Sequence, residues 1–144
     1  MTLSLGARAA MLDGFETFMV VGSGQATLTL YQTNTSLAVF NLGASSTGTP
    51  FGSANLDSLA LSSTLSAPVS NTGTAVAGTA NRFVIVNQST AEALSGTVGA
   101  IGSGADIETP LLTVTAAATQ RLNSFVLRMD AYGDVSVEAS LTLQ

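Results

Sequence analysis

The chain of 144 residues contains no cysteine, histidine, tryptophan or lysine. Without these residues it has no imidazole to act as a general base near neutral pH, no thiolate nucleophile and no Schiff-base amine. The usual nitrogen and sulfur metal ligands are missing too. Most common catalytic designs are thereby excluded, leaving hydroxyl or carboxylate chemistry, which needs converging acidic side chains. Lack of cysteine also removes disulfides as a source of stability and leaves the redox compartment open.

Charge is scarce as well. Only 9% of residues are charged, far below the quarter or so of an ordinary soluble domain, so few ionic groups can hydrate the surface of a free monomer. The basic residues are Arg8, Arg82, Arg121 and Arg128, scattered along a chain of net charge −5. A phosphate backbone is held by clustered cations, so nucleic-acid binding is excluded as the main role. No window approaches the roughly 18 apolar residues of a membrane span, and Arg8, Asp13 and Glu16 interrupt the apolar pattern that a signal peptide would need between Met1 and Val21. Synthesis and folding in a cytoplasm is expected.

Ser and Thr fill the gap, at about a quarter of the residues. Such a surface suits a protein covered by partners, although Thr-rich strands on a solvated sheet face give the same composition. The length fits one domain, 1–144, with its own core. Residues 1–22 read as a helical segment: Leu5, Ala9, Leu12, Phe15 and Met19 recur at spacings of three and four, with Arg8, Asp13 and Glu16 off that face. Ser4 is the expected N-cap and Gly22-Ser23-Gly24 the stop. Gly14 inside the helix costs about 1 kcal/mol relative to Ala, so the helix needs tertiary contacts. These come either from its own sheet or from a neighbouring subunit on which it docks as an arm.

From residue 25 to 144 the period changes to two. Strands are expected around Ala26–Leu30, Leu37–Val39, Leu59–Leu61, Phe83–Val86, Val98–Ala100, Leu112–Val114, Phe125–Met129 and Val135–Leu143. The last run alternates with Ser136, Glu138, Ser140 and Thr142. About eight short strands without a second helix predict a mainly β fold, an antiparallel sandwich or jelly roll with one N-terminal α-helix. Two long uncharged loops are expected, Gly43 to Ser53 and Ser66 to Ala80, serving either protein contact or simple connection.

No segment carries a specific chemical motif. Gly22-Ser23-Gly24 follows a helix and precedes a strand, the reverse of the dinucleotide-binding order, and the glycines from Gly99 to Gly104 have no following Lys. Turn geometry explains both. The acid pairs Asp106/Glu108 and Asp130/Asp134 could flank a cation or a glycosidic bond, but paired acids are common in turns, where Asp accepts local backbone hydrogen bonds. Asn34-Thr35-Ser36 and Asn87-Gln88-Ser89 match the glycosylation acceptor pattern, which matters only in a eukaryotic secretory pathway. No catalytic residue, cofactor or metal is expected.

Taken together, the opening ARAAMLDGFETFM, then ATLTLYQT, GTANRFVIVN, SGTVGAIGSGADIETP and the closing VSVEASLTL resemble small virion structural proteins of tailed bacteriophages. The resemblance implies a capsid decoration or cement protein of the jelly-roll kind, assembled in the host cytoplasm, forming a homo-oligomer and bound to a major capsid protein. A tail, neck or fibre component is the alternative, and a carbohydrate-binding sandwich, testable at Tyr132, a third, although sugar sites usually present an exposed aromatic platform and only Tyr31 and Tyr132 join six Phe here. The candidate interface comprises Leu5, Leu12, Phe15 and Met19 of the helix, Phe51 of the first long loop, and Arg82 and Arg128. Each arginine interrupts an apolar strand, either to reach solvent or to pair with an acid across a subunit boundary.

Overall fold

A computed structural model of the protein describes residues 1–44, 48–54, 57–62 and 68–144. The one α-helix among them, α1 (Leu5–Met19), begins where expected, because the Ser4 side chain accepts a hydrogen bond from the Ala7 N–H at 3.2 Å. It ends at Val20, ahead of Gly22 at φ 119°. Eleven strands follow among the described residues: β1 (Gln25–Gln32), β2 (Thr35–Ala44), β3 (Ser58–Ala60), β4 (Val69–Thr72), β5 (Gly78–Thr79), β6 (Arg82–Val86), β7 (Glu92–Ala100), β8 (Ile107–Thr109), β9 (Thr113–Val114), β10 (Arg121–Met129) and β11 (Val135–Thr142).

Eight of them form a path in the order β11-β10-β4-β2-β1-β6-β7-β8. β10 is long enough for its inner edge to serve two partners. β4 pairs with its start at Arg121 and Leu122, and β3 with its end at Val126 to Arg128. The sheet curls until its terminal strands β8 and β11 lie alongside each other, wrapping the alternating apolar rows inward. Leu28, Leu30, Phe40, Leu42, Phe83 and Ile85 of the three middle strands are at most 1% exposed. Each such side chain contributes about 1.5–3 kcal/mol of burial. The result is a sandwich-class β body with one N-terminal helix, as expected.

Three sequence expectations are corrected. The pairing is not wholly antiparallel: β8 runs parallel to β7, with Val98 opposite Ile107. Gly102 and Gly104, at φ 82° and 78°, let the short connection fold back on itself. Ser66 to Ala80 is not one long loop, because β4 and β5 interrupt it, β5 pairing with β9 in a separate two-stranded ribbon. Residues 63–67 and, in the first long loop, 45–47 lie outside the described residues. Finally, Arg8 is not off the packed face of α1. Its side chain is 12% exposed and pairs with Asp57 at 3.1 Å, with the Met129 carbonyl at 3.3 Å. An inward-facing guanidinium is tolerable only with such a partner.

Candidate functional site

The inner stripe of α1 packs against the chain's own core. Leu12 and Met19 are at most 1% exposed, and Phe15 meets Phe51 edge-on with ring centroids 5.7 Å apart. Phe51 in turn lies 5.9 Å from Phe125 of β10. Leu12, Met19 and Phe51, named from the sequence as interface residues, are therefore unavailable to a partner. The helix is bound to its own subunit because its apolar stripe is satisfied there. Leu5 is half exposed. Arg128 reaches solvent, the first of its two expected roles, and pairs at 3.2 Å with Glu138 of the adjacent strand β11, both side chains being largely exposed.

The outer side of α1 is the feature that the sequence reading passed over. Gly6, Ala10 and Gly14 follow one another at intervals of four and are exposed, as are Met11 and Phe18 beside them, with Val21 just beyond the helix. A Cβ built on Gly6 or Gly14 would meet nothing within 4 Å. Within this arc there is no charged residue, the exposed Asp13 lying at its edge. The spacing Gly-x-x-x-Ala-x-x-x-Gly was the available signal.

Arg82, the remaining candidate, occupies a different setting. It opens β6 directly opposite Tyr31 of β1, and its guanidinium sits 5.1 Å from the centre of the Tyr31 ring. A cavity of about 450 Å³ opens beside it, bounded by the β1–β2 turn at Thr33 and Asn34, by Asn81, and by Ser95 to Thr97 of β7. The turn is held in a strained form, for Thr33 is β-branched and has φ 55°. Asn81 fixes it by accepting the Thr33 N–H at 3.0 Å, and Arg82 donates to the Thr33 carbonyl at 3.4 Å. Gly96 makes the cavity's floor possible, since a Cβ there would stand 2.7 Å from the Phe83 ring and 2.6 Å from Asp106.

Three of the four paired acids accept local hydrogen bonds in turns and strands. Asp130 accepts the N–H groups of Tyr132 and Asp134 at 2.8 and 2.9 Å. Glu108 accepts those of Gly102 and Gly104 at 2.9 and 2.7 Å, and Asp106 accepts the Thr97 N–H at 2.7 Å and its hydroxyl at 2.8 Å. The Thr97 N–H, and next its hydroxyl, hold the Asp106 pKa below the ordinary aspartate value; the two glycine N–H groups do the same for Glu108.

A folded-state pKa lowered in this way stabilises the protein above the unfolded-state pKa, and the contribution fades as pH falls through the lowered one. Urea midpoints are therefore expected to fall as pH drops from about 6 to about 3. The Asp106→Asn variant, measured alongside, should show a shallower decline.

Among the described residues no group of acids is arranged to hold a metal ion, and no helix is long and apolar enough to cross a membrane. Compared with known protein families, curated proteins and solved structures, the chain matches none of them. Fold and site together define a β-rich module with two distinct surface features: an uncharged helix face and a polar cleft around one arginine.

Proposed function

We propose that this chain is a structural virion protein that decorates and cements a bacteriophage capsid, binding between shell subunits as a homo-oligomer, with the outer face of α1 as its assembly contact. The observation that carries this reading is the uncharged arc formed by Gly6, Ala10, Gly14, Met11 and Phe18, exposed on a helix whose opposite side is already buried. Exposed apolar side chains grouped together favour a protein partner, and small residues let a partner backbone come close. The similarity of layout to small phage virion proteins supplies the shell as that partner. Mechanically, a folded body lodged between shell subunits resists their separation, because separation must then expose the buried interface. Repetition over the shell multiplies a modest contact through avidity.

Gly14 provides the test. A Cβ added there has open space around it, and a residue other than glycine improves helix propensity by up to about 1 kcal/mol. The Gly14→Glu variant is therefore expected to keep or raise thermal stability while losing self-association and attachment. Light scattering should give the wild type a mass above the 14.5 kDa of one chain, and the wild type should sediment with undecorated capsids. A monomeric wild type that leaves capsids bare would refute the reading, and so would a variant that still coats them.

A further inference from the structure

We infer that the cleft beside Arg82 is a binding site for a carboxylate-bearing sugar, a function separate from assembly. Its recognition groups are donors. Among the described residues Arg82 makes no ion pair, and its one hydrogen bond within the chain is the long one to Thr33. Asn81 uses its side-chain oxygen on the turn, while neither its amide nitrogen nor the Asn34 amide donates to a protein acceptor among those residues. Three side chains with unused N–H groups thus belong to residues that line one volume. Two carboxylates border the lining, each taken up by one of its residues: Asp106 Oδ2 accepts from Thr97, and Glu92 accepts from Ser95.

A guanidinium held over a tyrosine ring offers a planar fork that can grip a carboxylate through two parallel hydrogen bonds. The rest of the lining comes from the uncharged residues Thr33, Asn34, Asn81, Ser95, Gly96 and Thr97. Ser95 donates its hydroxyl proton to Glu92 at 2.6 Å, leaving its oxygen free to accept from a ligand hydroxyl. One anionic group surrounded by hydroxyls, in about 450 Å³, describes an acidic monosaccharide or the end of an acidic glycan. The strained Thr33 belongs to the same picture, because the hydrogen bonds that hold it also shape the cleft.

The experiment is an amide-resolved NMR titration of the full chain with galacturonate, galactose, acetate and inorganic phosphate. Galacturonate should shift the amides of Thr33, Asn34 and Ser95 to Thr97, with galactose and acetate each binding at least about tenfold more weakly. Arg82→Gln, at an exposed position, should weaken galacturonate by a similar factor with unchanged dispersion elsewhere. Asn34→Ala, at the hairpin tip, should also weaken it if the arginine variant proves poorly folded. The inference fails if galacturonate leaves these amides unmoved, if neither variant alters its binding, or if acetate or phosphate does as well, which marks a generic anion contact. Capsid attachment by Arg82→Gln should be unimpaired, so failure here leaves the assembly reading standing.

Discussion

Replacing Phe51 by Ala is expected to lower stability by about 3–5 kcal/mol, with a fall in melting temperature of roughly 10 °C or more. Phe51 is fully buried, and its ring is the middle member of a chain of three, between Phe15 on α1 and Phe125 on β10. Its backbone is held as well: Phe51 bridges to Leu61, and the flanking Gly52 N–H and Pro50 carbonyl bond to Ala60 and Ser62. The surrounding strands therefore cannot collapse freely into the space left by truncation. Because the ring joins helix to sheet, helical circular dichroism should be lost at the same temperature as the β signal. The loss should also be independent of protein concentration, which distinguishes a core residue from an interface one. Leu5→Ala, at a half-exposed site, serves as the comparison and should cost under about 1 kcal/mol.

Asn87→Ala is expected to cost about as much, for a different reason. Asn87 is completely buried. Its side-chain oxygen accepts from the Ser89 N–H at 3.0 Å, the Ser89 hydroxyl at 2.9 Å and the Ala91 N–H at 2.9 Å, while its nitrogen donates to the Phe18 carbonyl at 3.2 Å. Truncation strands these groups where they have lost their partner, at about 1–3 kcal/mol each before water relieves some of them. The damage should spread beyond the β6–β7 loop, since Gln88 bonds to the Met19 carbonyl and Gly24 to the Gln88 carbonyl. Gly22 and Gly24 permit that approach: a Cβ on Gly24 would stand 2.7 Å from the Gln88 oxygen. Amide exchange should therefore accelerate at Ser89 and Ala91 and in the last turn of α1 together, and denaturant midpoints should fall. Acceleration confined to the loop would show that Asn87 does not tie the helix down. The match of Asn87-Gln88-Ser89 to a glycan acceptor is thus better explained by a turn-forming role for a buried amide.

Much of the architecture was legible in the linear order of residues. The i, i+3, i+4 pattern from Leu5 to Met19 with Ser4 before it, and the strict alternation from Val135 to Leu143, each depend on neighbours within one turn or one strand. Local geometry alone then selects helix or strand. Arg8 was misread because the buried stripe is wider than the apolar residues that advertise it. Whether a guanidinium can lie within that stripe depends on Asp57, which is 49 residues away. The parallel placement of β8 was hidden for a related reason, since alternation defines the two faces of a strand but not the direction or identity of its neighbour. The cleft beside Arg82 is farther still from sequence reading. Its walls come from the β1–β2 turn, the start of β6 and the middle of β7, and no short motif spans them.

The sequence by itself determined that the body is sheet-built with a single helix in front, and that imidazole, thiol and amine chemistry are missing, because side-chain inventory and short-range periodicity need no knowledge of distant contacts. Only the tertiary structure decided that Leu12, Met19 and Phe51 serve the core, that Gly6, Ala10 and Gly14 face outward, and that Arg82 stands over Tyr31 beside an open cleft. Which apolar surfaces are left over, and which polar groups remain without partners, follows from how every element competes at once for burial.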